Sequence, residues 1–252
     1  MISKDHILSH VRTLSIHPPP PLGYVGHNWR VSSVKRATIA QSFSVSFTVG
    51  LYGIAFGAAG VAAGFSILQT CLLSLLTFSG ASQFAVVGVM GSGGSALSGI
   101  ATASLLGIRN GLYGLRMAPI LQVRGIKRVI AAQVTIDEST GVAIGQEERG
   151  ASAMQLGFWL TGFGVYFFWN VFTLVGALGA EAMGNPSAWG LDAAVPAAFL
   201  GLVWPRLLGR FERALAVGAI CLALLLTPFV AAGIPIIATA LLAVIFGWKK
   251  RA

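Results

Sequence analysis

The sequence predicts an all-α, polytopic transmembrane helix bundle with discontinuous helices in its N-terminal half. Three observations carry that expectation. The first is composition: of 252 residues, 55% are hydrophobic and only 10% are charged, whereas a soluble domain carries about 25% charged residues. The second is a run of 72 residues, 37–108, with no charged side chain between Arg36 and Arg109. At about 20 residues per crossing, that is enough for more than one passage through a bilayer. The third is a polar knot inside this run, Phe78-Ser79-Gly80-Ala81-Ser82-Gln83-Phe84. A simple membrane anchor has no use for such a break. A β-barrel would show alternation of apolar and polar residues; here the apolar runs are continuous.

The net charge is +9. The cations cluster at the ends of apolar runs, where the positive-inside rule places them, and no basic stripe alternates with aromatics as nucleic-acid binding requires. The expected surrounding is therefore a lipid bilayer, with no nucleic acid. Cys71 and Cys221 lie in apolar runs and read as small apolar fillers. His6, His10, His17 and His27 are irregularly spaced, so no metal site is expected. There is no P-loop, dinucleotide turn, zinc spacing or nucleophile elbow. The chain is expected to be no enzyme, to need no cofactor and not to drive transport with ATP by itself.

In chain order, residues 1–36 read as a disordered cytosolic tail. Pro18-Pro19-Pro20-Pro21 excludes a continuous helix there, and no apolar core of signal-peptide length is present. Residues 37–252 read as a transmembrane permease domain. Its first span covers about Thr38–Ala59, where Gly50, Gly53, Gly57 and Gly60 form a smooth packing stripe. Phe65–Thr77 is a second apolar run. Its 13 residues would reach about 20 Å, short of a ~30 Å core. Ala85–Met90 follows the knot, Gly91-Ser92-Gly93-Gly94-Ser95 is a turn, and Ala96–Ile108 and Leu112–Leu121 flank Arg109-Asn110-Gly111. Residues 122–149 are polar. They read as a cytosolic helix and loop, or as a helix lying partly in the bundle.

Ala151–Leu178 is a long aromatic-rich span. Ala193–Trp204 is short, and Leu215–Val230 and Ile234–Trp248 are two more spans. Lys/Arg counts place the tail, the middle segment, the 206–213 loop and the C-terminus in the cytoplasm. Residues 37–121 do not divide cleanly into two or four ordinary spans, and broken helices would resolve this.

Four constellations carry possible chemistry. At the knot, Gly80 lets a helix stop and restart. A half-helix N-terminus offers unpaired N–H groups and positive dipole, the device by which transporters hold a substrate carboxylate. Ser82 and Gln83 add neutral hydrogen bonds. The bland alternative is a continuous helix with small packing residues. Arg109-Asn110 is costly in lipid. Arg109 either meets a substrate carboxylate, pairs with Asp137 or Glu138, or is a cytoplasmic flank. Asp137-Glu138 suits an ammonium group or a coupling proton, or is a solvated loop pair. Asn170 among aromatics and Asp192 before Val195-Pro196 are possible pathway residues.

Four pieces in order resemble the AzlC family: Phe78–Phe84; Gly107-Ile-Arg-Asn-Gly-Leu-Tyr-Gly114 with Pro119; Thr135-Ile-Asp-Glu138; and Leu191-Asp-Ala-Ala-Val-Pro-Ala-Ala-Phe199. That resemblance implies the large permease subunit of an exporter of branched-chain amino acids in the bacterial inner membrane. It also implies a small AzlD-type membrane subunit as partner. It places Asp137-Glu138 in a family motif. For such an exporter, the residue pattern leads us to expect Gly80, Ser82, Gln83, Arg109 and Asn110 to bind substrate, and Asp137 and Glu138 to serve the ammonium group or a coupling proton. The rival expectation is an assembly or regulatory subunit with no pathway of its own.

Overall fold

The computed structural model describes residues 25–184, residues 207–251 and six positions between them. The chain falls into two units, Met1–Ala37 and Thr38–Ala252. In the first, residues 25–36, read from the sequence as the end of the tail, are helical. The described elements are α1 (Val25–Gly50), α2 (Tyr52–Ala62), α3 (Ile67–Leu76), α4 (Gly80–Gly91), α5 (Ala96–Leu121), α6 (Ile126–Gln133), α7 (Asp137–Ile144), α8 (Ala151–Ala182), α9 (Arg210–Leu226) and α10 (Ile234–Arg251). Among the described residues there is no strand.

The expected glycine stripe packs α1 and α2 against α8. Thr38 meets Gly157, Gly50 meets Phe168, Gly53 meets Trp169 and Thr173, and Gly57 meets Thr173 and Ala177. Both series of numbers rise together, so the two rods run parallel. The backbones touch: a Cβ on Gly53 would stand 2.5 Å from the Trp169 carbonyl oxygen. Small residues permit this approach, which supplies dispersion contact where lipid offers no hydrophobic gain.

The discontinuity expected at the knot is present, and it is a reversal. Ser66 opens α3 with a capping box, accepting from Gln69 N at 3.2 Å while Gln69 Oε1 accepts from Ser66 N at 2.8 Å. After α3, Thr77–Ser79 form a non-helical tip, and α4 begins at Gly80 with Ser79 extended. α4 then turns back and packs against α2. Gln83 Nε2 donates to the Ser74 carbonyl at 3.1 Å. A Cβ on Gly91, at the end of α4, would stand 3.0 Å from Ala63, where α2 has just ended. Continued straight through, residues 74 and 83 would lie about 13 Å apart. The pair is therefore a re-entrant hairpin that enters and leaves on one face.

α5 runs from that face to the other, 26 residues or about 39 Å. There a second re-entrant hairpin forms from α6 and α7. Ala131 of α6 and Ala143 of α7 share one apolar cluster with Phe158. Val134 packs on Gly162 and Val142 on Gly157, so α7 descends as α8 rises. Of the two expectations for residues 122–149, the structure takes the helix lying in the bundle. The break at residues 134–136 was not foreseen.

The two hairpins thus enter from opposite faces, and their tips meet. The Leu75 carbonyl, at the end of α3, accepts from Gln133 Nε2 at 3.0 Å and from Tyr166 Oη at 3.2 Å. With Gln83 serving the Leu73 and Ser74 carbonyls, three of the last four carbonyls of α3 accept from side chains. Irregular backbone inside a bundle requires such partners. α9 and α10 pair as a hairpin whose turn lies at the face of the first re-entrant hairpin, since Ala232 approaches Gly94 and Gly233 approaches Ser98. Arg116, Arg124, Lys127, Arg128 and Arg149 lie toward the face of the second.

Candidate functional site

The hairpin tips enclose a cavity of about 80 Å³. Its polar lining includes Ser79, Gly80, Arg109, Asn110, Asp137 and Glu138; its apolar lining includes Val49, Phe84, Ile136, Val165 and Trp169. Sequence analysis proposed five of these residues, from three separate segments, and the structure brings all five to one place.

Each hairpin presents the N-terminus of its second helix to the cavity. The two starts are chemically opposite. At α4, residues Gly80, Ala81 and Ser82 bear no charge, and their N–H groups have no partner among the described residues; the first helical bond is Gln83 N to Ser79 O at 3.1 Å. At α7, Asp137 and Glu138 occupy the first turn, where carboxylates complement the dipole. Ser139 closes that start locally, its Oγ accepting from Ile136 N at 3.0 Å and donating to Val134 O at 2.7 Å.

Arg109 comes from the middle of α5 and forms an ion pair with Asp137 at 2.8 Å. Of the three expectations for Arg109, the structure takes the pairing with Asp137. Asn110 stands beside it, its Oδ1 buried and without a partner among the described residues. The cavity therefore has a neutral donor end at α4, an acceptor end at Asn110 and α7, and an apolar wall.

Three proposed residues lie elsewhere. Gln83 is fully buried, but its amide is turned to the end of α3 and it does not line the cavity; it closes the hairpin. Ser82 joins α4 to α5, its Oγ donating to Ala103 O at 2.9 Å and accepting from Ser79 Oγ at 3.3 Å. Asn170 donates to Tyr166 O at 2.7 Å within α8 and is not among the cavity residues. Asp192 and the 191–199 motif lie outside the described residues, except position 197.

Trp169 is a cavity residue that the sequence did not single out. It sits in a span with seven other aromatic residues, from Phe158 to Phe172, so nothing in the pattern distinguishes it. Its ring is fixed by stacking on Phe56 at 6.1 Å and by an edge contact with Phe84 at 6.2 Å.

Residues 44–183, which include both hairpins and all of α8, match the family model described as AzlC protein. An uncharacterized membrane protein of Archaeoglobus fulgidus is 31% identical over 213 residues, covering 82% of this chain and 92% of the relative. No solved structure matches. The chain belongs to the AzlC family and is a helical membrane protein of transporter type.

Proposed function

We propose that the chain is the permease subunit of a secondary exporter of branched-chain amino acids. The single observation that supports the reading most is the opposed polarity of the two helix starts across one cavity. An α-amino acid carries an anion and a cation on adjacent atoms. The uncharged start of α4 suits its carboxylate, and Asn110 with the acidic start of α7 suits its ammonium group. Val49, Phe84, Ile136 and Val165 suit a branched apolar side chain. One methylene in such a wall is worth only about 1–3 kcal/mol, so leucine, isoleucine, valine and methionine are all expected to pass.

The hairpins suggest how the cavity is reached. The first covers it from one face and the second from the other, so outward movement of each in turn gives alternating access. The basic ends of α5 and α6 mark the cytoplasmic side on the positive-inside rule. The proposed location is the bacterial inner membrane. A small AzlD-type subunit is the proposed partner, and α5 offers it a place: side chains at Gly111 and Gly114 would meet nothing within 4 Å among the described residues.

The reading is tested by loading cells with valine-containing peptides and following valine efflux. Expression of this chain with its partner should raise efflux several-fold. Equal efflux with and without the pair would overturn it.

A further inference from the structure

We infer that Trp169 recognises the substrate carboxylate through its indole N–H, acting with the free N–H groups at the start of α4. The inference rests on the functional reading above and names a residue for it.

Trp169 is 5% exposed and lines the cavity. Its six-membered ring lies over the first residue of α4: a Cβ on Gly80 would stand 3.2 Å from Trp169 Cη2. An indole nitrogen can only donate, and a buried indole ordinarily finds an acceptor. The Trp169 N–H has none among the described residues. The neighbouring N–H groups of Gly80, Ala81 and Ser82 have none either. A hydroxyl can turn to accept or donate; these groups cannot. What completes the cluster is a ligand that brings acceptors only, and a carboxylate brings two oxygens with about four lone-pair positions.

The donor set is uncharged, and this decides how charge is handled. Arg109 is held by Asp137 at 2.8 Å. A carboxylate bound by neutral donors leaves that pair intact, so Asp137 keeps its place at the acceptor end. Arg109 Nε is also buried and without a partner among the described residues, so Arg109 is the rival donor for the carboxylate, and the test below separates the two. Glycine at position 80 follows from the same geometry, because a side chain there would press on the ring and move the indole. Trp169 therefore separates amino acids from amines that share their side chain.

The test is equilibrium binding of radiolabelled leucine and of leucinamide to the purified full chain. Leucinamide keeps the ammonium group and the side chain but lacks the carboxylate. The wild type should prefer leucine. W169F keeps an aromatic ring and removes the N–H; it should weaken leucine about tenfold, the loss of one charge-assisted hydrogen bond, and leave leucinamide unchanged. Equal weakening of both ligands would mean a packing role and overturn the inference. So would an unchanged ratio in W169F with the preference lost in R109Q, which would put the carboxylate on Arg109. A wild type that binds neither ligand would sink the functional reading and this inference with it. A second measurement covers the case in which W169F does not fold. In the wild type, leucine should shift one of the six indole N–H resonances and leucinamide should shift none; shifts that are alike for both would overturn the inference.

Discussion

Arg109, in the middle of α5, and Asp137, the first residue of α7, form an ion pair of 2.8 Å at the depth where the two hairpin tips meet. The side chains are 35% and 21% exposed, so the pair is neither a surface contact nor fully dry. Removing one partner breaks this ion pair. R109Q is expected to cost about 1–3 kcal/mol, below the range for fully buried pairs because of the partial exposure. The double variant R109Q/D137N should recover most of that loss while transport stays low. Thermal unfolding of the purified variants checks the first part and efflux the second. Additive losses in the double variant would mean the pair carries no coupling.

Gln83 is expected to matter for the hairpin and not for ligand contact. Its amide serves the Leu73 and Ser74 carbonyls at 3.4 and 3.1 Å. Leu73 O keeps Thr77 N and Oγ1 as donors, but Q83A takes the side-chain donor from the buried Ser74 carbonyl, at about 1–3 kcal/mol, and should raise hydrogen exchange across Gly80–Gly91. Q83E, which cannot donate when ionised, should be worse than Q83A. Normal exchange with lost leucine binding would instead make Gln83 a ligand residue.

Re-entrance makes a sidedness prediction. In a background lacking Cys71 and Cys221, F65C and S92C flank the first hairpin and Q122C precedes the second. An impermeant maleimide should reach the first two from the same face and Q122C from the opposite one. If α3 and α4 crossed as one broken span, F65C and S92C would label from opposite faces.

Close packing of α2 on α8 predicts that G57L destabilises strongly. A side chain there runs into the Thr173 carbonyl and the Ala177 backbone, which cannot move aside. Overpacking costs about 1–3 kcal/mol and sometimes more. G114L, with no described residue within 4 Å of its Cβ on α5, should leave the melting temperature of the isolated chain unchanged and reduce co-purification of the small subunit. Melting curves and affinity pull-down from membranes report the two effects.

How much of this was legible in the sequence differs between the two hairpins. The first announced itself because glycine, serine and glutamine interrupt an apolar run. The second tip, Val134-Thr135-Ile136, is β-branched and flanked by polar residues, so it looked like ordinary surface sequence. Its backbone groups are met by Ser139 and by the Ile130 and Ala132 carbonyls, and its place in the bundle comes from Val134 packing on Gly162 of α8, which no local pattern records. Trp169 was hidden for a related reason. One aromatic among many differs from the rest only in what it faces.

The sequence by itself determined that the chain lies in a membrane, that it is helical and that its apolar run is interrupted at Gly80. Those properties follow from charge, hydropathy and the local cost of unpaired backbone. Only the tertiary structure decided that the interruption is a turn back and not a passage through, and that Arg109, Asn110, Asp137 and Glu138 share a cavity with Gly80. It also decided that Gln83 braces the break while Trp169 faces the cavity. Direction of travel after a break is set by partners distant in sequence: here Gln133 and Tyr166 holding the Leu75 carbonyl, and Ala63 meeting Gly91.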